Sequence, residues 1–92
     1  MMAAGQKTED SVVRRVGRTL KTYGRLTIPQ KLLKRAQRRE VVLVVDEIRY
    51  VFETDRYGRI YIPPEIRERL ANMTNVEIGL SNGELMLRFR RF

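Results

Sequence analysis

From Ser11 onward the chain alternates apolar and charged positions in short runs, and the period of each run predicts its element. "SVVRRVGRTL" (residues 11–20) is Val-rich and charged, and reads as an exposed strand that bends at Gly17. "LKTYGR" then supplies a turn, with Gly24 as the residue suited to positive φ. In "RLTI", Leu26 and Ile28 share one face while Arg25 and Thr27 share the other. Pro29 forces Ile28 away from helical angles yet itself suits a first helical turn, so Ile28-Pro29 is a strand-to-helix switch. Ile62-Pro63 repeats the device. Short helices are expected over residues 29–37 and 63–72, with Leu32, Leu33 and Ala36, and then Ile66 and Leu70, at helical spacing. Helices this short are marginal alone and must dock on a sheet.

The remaining runs have strand character. "VVLVV" (41–45) is continuously apolar, the pattern of a strand buried on both faces. After Asp46-Glu47, Ile48, Tyr50 and Phe52 alternate with Arg49, Val51 and Glu53. Val76, Ile78 and Leu80 face one way, as do Leu85, Leu87 and Phe89, and Asn82-Gly83 between them is a strong hairpin signal. The pattern totals seven strand-like segments and two short helices. Residues 1–10, small and polar without period, read as a loose tail.

The chain writes one sentence twice. Tyr23–Ala36 and Tyr57–Leu70 share six identities in fourteen positions (Tyr, Gly, Arg, Ile, Pro and Arg), with Leu26/Ile60 and Leu32/Ile66 as conservative matches. Ordinary composition gives roughly one identity in such a window. Each half reads strand, turn, strand, Ile-Pro, helix, strand, a ββαβ unit spanning about 11–47 and then 48–92. Neither half carries enough apolar surface to stand alone. The expected fold is therefore mainly β with two short α-helices, a closed barrel in which two insufficient halves meet about a pseudo-two-fold and remove each other's sheet edges.

Composition narrows the chemistry. The 92 residues contain no Cys and no His, which removes disulfides, most transition-metal sites and the commonest general base. There is no Gly-rich phosphate loop and no framed carboxylate pair, so the expectation is no enzyme, no cofactor and no metal. No apolar run approaches a membrane span and no signal-peptide core opens the chain, so a cytoplasmic protein off the membrane is expected. Charge adds the one positive signal: nineteen basic against eleven acidic residues, net +8. Arg supplies fifteen of the nineteen, and its planar fork suits phosphate. The balance up to Glu47 is eleven minus five, or +6, and after it eight minus six, or +2, so an anion-binding face should lean on the first half.

The doubled string, "GRLTIPQKLLKRA" and "GRIYIPPEIRERL", resembles the DNA-binding domains of the AbrB/MazE/SpoVT superfamily, the swapped-hairpin barrels. "VVRRV" and "EIRYV" are similar to that family's first strand, and "NVEIGLSNGELMLRFRR" to its closing hairpin, so the resemblance spans about Ser11 to Arg91. Family members usually carry one copy of the unit and dimerise; two copies here imply a single-chain variant, of the kind seen in related cradle-loop and RIFT-type barrels. A monomer is expected, with a homodimer as the alternative.

The resemblance also implies a site. Family positions that contact DNA fall here on Arg14, Arg15 and Arg49 of the first strands, on Arg25 and Arg59 of the Gly-Arg pairs, and on Lys34 and Arg67 of the helices, whose companion positions Leu33 and Glu68 lack positive charge. Arg18 is a further candidate from the longer first hairpin. The implied activity is DNA binding and transcription regulation through outward arginines, with phosphate contacts dominant. A protein-interaction barrel that binds no DNA, and an RNA- or ribosome-associated protein, are the alternatives. An antitoxin role is disfavoured, because the last strand ends near Phe92 without a long tail. Tyr23 and Tyr57 are expected to pack rather than to stack on bases.

Overall fold

The computed structural model describes residues 10–91, and residues 1–9, with Phe92, lie outside it, as does most of the expected tail. The elements in chain order are β1 (Asp10–Arg15), α1 (Arg18–Tyr23), β2 (Arg25–Thr27), α2 (Gln30–Arg35), β3 (Glu40–Val45), β4 (Ile48–Glu53), β5 (Arg59–Tyr61), α3 (Pro64–Arg69), β6 (Asn75–Ser81) and β7 (Glu84–Arg90). The fold is mainly β. Among the described residues, seven strands fall on the seven runs read from the sequence, but there are three helices, not two. No helix among the described residues is long and apolar enough to cross a membrane.

The additional helix corrects the reading of residues 11–20 as one strand. β1 stops at Arg15, and Arg18–Tyr23 turn helically behind the extended Gly17. Leu20 is the one buried residue of α1, so the segment has no apolar period that could announce it. Gly24 ends α1 in the left-handed region at φ 71°, its N–H donating to the carbonyls of Leu20 and Thr19. The expected positive φ at Gly24 is therefore present, but as a helix cap.

β1, β6, β7, β3 and β4 form one five-stranded sheet in that order, and β2 and β5 form a separate two-stranded ribbon. Neither closes into a continuous ring of hydrogen bonds: the larger sheet ends at β1 and β4. Its pairing is reciprocal between the halves. β1 of the first half lies antiparallel to β6 of the second, and β4 of the second lies antiparallel to β3 of the first. β7 sits between, antiparallel to β6 and parallel to β3.

The ribbon carries the same symmetry at residue level. Arg25 faces Tyr61, Leu26 faces Ile60, and Thr27 faces Arg59, so equivalent residues exchange places about the Leu26/Ile60 pair. The Ile28 N–H donates to the Gly58 carbonyl at 2.8 Å, and the Ile62 N–H donates to the Gly24 carbonyl at 2.7 Å. Gly24 and Gly58 both have positive φ, 71° and 82°. A Cβ on Gly24 would collide with the Ile62 carbonyl, and one on Gly58 would approach Leu33 Cδ2 and the Ile28 carbonyl. The repeated Gly and Ile are thus explained together: each copy's glycine accommodates the other copy's isoleucine.

Pro29 and Pro63 each take the N-cap, so the helices start one residue later than expected, at Gln30 and Pro64. Pro29 and Pro63 keep extended ψ, and each carbonyl accepts from the N–H groups three and four residues on. Behind the switches, Ile28, Ile62, Leu32 and Leu70 are fully buried in one core with Leu43, Ile78, Leu85 and Leu87. Burial of each such side chain stabilises by about 1.5–3 kcal/mol. The apolar run of β3 is buried at four of its five positions, as its composition predicts. The hairpin at Asn82-Gly83 forms with both residues at positive φ, whereas Asp46-Glu47, which turns β3 into β4, adopts positive φ without a glycine.

Candidate functional site

Five of the eight arginine and lysine candidates meet around one open cleft of about 780 Å³. Arg14 and Arg15 reach it from β1, Arg18 from the start of α1, and Arg25 and Arg59 from the ribbon. The cleft is the seam between the β1 edge of the large sheet and the β2–β5 ribbon. Arg14 lies opposite the buried Val76, which puts it on the core-facing side of the sheet at its edge, where no further strand covers it. Arg25 and Arg59 alternate with the inward Leu26 and Ile60 and are exposed, as the period of two requires.

The floor of the cleft is aliphatic, formed by Leu20, Leu26, Ile60, Val76 and Ile78, and Tyr61 stands at its side. The helix α1, with Leu20 turned into the core, is the wall that distinguishes this seam from its counterpart. In the second half the chain passes from β4 to β5 through residues 54–58 alone. That turn is tight: the Thr54 N–H donates to the Arg39 carbonyl, and Gly58 N–H to the Asp55 carbonyl.

Among the described residues, Asp55 is the one carboxylate that borders the cleft. Its Oδ1 accepts the N–H groups of Tyr57 and Arg59, each at 2.9 Å, and its Oδ2 accepts the Arg59 Nε at 2.8 Å. The Arg59 N–H is the main reason that its carboxyl is held below the ordinary range, with the Arg59 guanidinium and Tyr57 N–H adding to it. Arg59 also lies over the Tyr57 ring, 4.9 Å from its centroid. Arg14, Arg15, Arg18 and Arg25 have no ion-pair partner among the described residues. Four uncompensated guanidiniums in one seam form an anion-attracting surface.

Three candidates lie elsewhere. Arg49 belongs to β4, the opposite edge of the large sheet from β1, and faces outward beside Val44. Lys34 is exposed in the last turn of α2 and does not border the cleft. Arg67 is committed to the fold: its guanidinium donates to the carbonyls of Ile62 and Thr22, reaches the Tyr61 hydroxyl at 3.2 Å, and stacks over that ring at 5.6 Å. It covers Gly24 much as Leu33, its equivalent in the first copy, covers Gly58. Tyr23 and Tyr57 do not pack inside; they are 59% and 58% exposed, because each immediately precedes a glycine at which the backbone reverses.

Sequence reasoning did not single out Asp55 or Tyr61. The signal for Asp55 was present in "TDRYGR", where an Asp two residues before a Tyr-Gly turn is a candidate for bonding its own backbone. Tyr61 carried no such signal; its place follows from the ribbon pairing with Arg25. No family model, no curated protein and no solved structure matches this chain.

Proposed function

We propose that this protein binds duplex DNA as an AbrB-like regulator, with the two sheets forming the two sides of one pseudo-two-fold barrel of the swapped-hairpin kind. The observation that carries the reading is the gathering of Arg14, Arg15, Arg18, Arg25 and Arg59 on one seam, faced among the described residues by a single carboxylate that Arg59 already neutralises. The β2–β5 ribbon presents Arg25, Thr27, Arg59 and Tyr61 outward, and a two-stranded ribbon has the width of the major groove. In this arrangement Arg25 and Arg59 approach base edges while Arg14, Arg15 and Arg18 hold phosphates alongside. Lys34 and Arg49 fall outside that footprint, and Arg67 supports it by holding Tyr61.

Affinity built mainly on phosphate neutralisation must fall steeply with salt. Three phosphate contacts would weaken binding about fortyfold between about 50 and 200 mM salt. Fluorescence anisotropy with a labelled duplex at both concentrations measures this directly. No binding at the lower salt discards the reading. Preferential displacement of the duplex by structured RNA moves the assignment to an RNA-binding protein instead.

A further inference from the structure

Phosphate contacts explain the arginine rim of the cleft but not its floor. A duplex resting on the rim has no use for a concave aliphatic surface below it. β2, β5 and β6 supply most of that floor, and α1, which follows β1 in the first half, walls it. A volume of about 780 Å³ lies within the range of small-molecule sites, which combine an apolar lining with a few convergent polar groups.

We infer that this cleft is a binding site for a nucleoside triphosphate. The flat base lies on Leu26 and Ile60 beside Tyr61, and the polyphosphate is held by Arg14, Arg18 and Arg25. Three features select that class. Several unpaired guanidiniums crowd each other unless a polyanion, rather than a single carboxylate, lies between them. An aliphatic floor disfavours a bare sugar phosphate, whose hydroxyls would lose water without gaining partners. The shallow, open shape suits a planar ring better than an acyl chain, and Tyr61 together with an arginine plane offers surfaces on which a base stacks.

The inference uses the same arginines as the duplex reading but does not depend on it. If both hold, nucleotide and duplex compete for Arg14, Arg18 and Arg25, and the bound nucleotide releases the DNA.

Isothermal titration with ATP, inorganic tripolyphosphate and adenosine, at about 50 mM salt, tests it on the full chain. ATP is expected to bind saturably and about tenfold or more tighter than tripolyphosphate, and Arg18→Ala combined with Arg25→Ala is expected to weaken it about tenfold or more. Arg69→Ala, on α3 and outside the cleft, should leave it unchanged. All three residues altered in these comparisons, Arg18, Arg25 and Arg69, are exposed, and circular dichroism confirms that each variant is folded. The proposal is overturned by any of three results: no saturable ATP binding up to about 1 mM, tripolyphosphate binding as tightly as ATP, or an equal loss in Arg69→Ala. The duplex titration is run separately, so a protein that binds ATP and no duplex sinks only the DNA reading.

Discussion

The two copies of the Tyr-Gly-Arg…Ile-Pro segment keep the same backbone and differ in what surrounds it. Gly24 and Gly58, Ile28 and Ile62, and Pro29 and Pro63 occupy matching conformations and exchange matching hydrogen bonds. Their neighbours diverge. The first copy is preceded by α1 and flanked by four uncompensated arginines; the second is preceded by a tight turn in which Asp55 holds Arg59. The helix position that is Leu33 in one copy is Arg67 in the other. What the copies share is what each needs from the other. What differs is surface that the shared core does not constrain.

The largest effect that could break this comparison is in the core. Ile28→Ala and Ile62→Ala should each lower unfolding free energy by about 2–5 kcal/mol, and by similar amounts, because both side chains are fully buried at equivalent places. Chemical denaturation measures both. A cost confined to one of them would remove the symmetry from the argument.

Next come the glycines. Alanine at Gly24 or Gly58 forces a Cβ into left-handed backbone and should cost about 1–3 kcal/mol. Gly24→Ala should be the worse, since its obstacle is the Ile62 backbone, whereas the tightest contact at Gly58 is the movable Leu33 side chain. Thermal melts of the pair would show the order, and the reverse order would contradict the packing described.

The arginines sharpen the comparison on the functional side. Arg25→Ala should weaken duplex binding about tenfold, and Arg59→Ala less, because Arg59 must first leave Asp55 and Tyr57. Equal losses in anisotropy would mean that Asp55 does not restrain its partner.

The smallest effect concerns acid. The carboxyl of Asp55 is held low by its folded-state partners, so its contribution to stability is full above the unfolded value of about 3.9 and fades as pH falls through the lower folded value. Asp55→Asn keeps an acceptor oxygen for the turn but removes the charge. The variant should therefore melt slightly below the parent at pH 7, with the gap closing as the solution is taken below about pH 4. A gap that widens in acid would give the shift the wrong sign.

Much of the local architecture was legible in the chain. Alternation marks β2, β4, β6 and β7, the apolar run marks β3, and Ile-Pro and Asn-Gly mark the helix starts and the last hairpin. These are short-range signals, written by period and by residues with restricted backbone angles, and so they survive without knowledge of the partner strand. The doubled segment, in halves too poor in apolar surface to stand alone, also led to the expectation that two halves meet, and the structure adds that each copy's Gly bonds the other copy's Ile. Tertiary structure alone decided the rest. A six-residue helix with one buried residue has no period, so α1 was invisible until Leu20 found the core. The parallel placement of β7 beside β3, and a large sheet that stays open between β1 and β4, follow from how distant strands compete for the same edges. The convergence of Arg14, Arg18 and Arg25, with Arg49 on the far edge, follows in turn from that strand order, which charge counts along a chain do not contain.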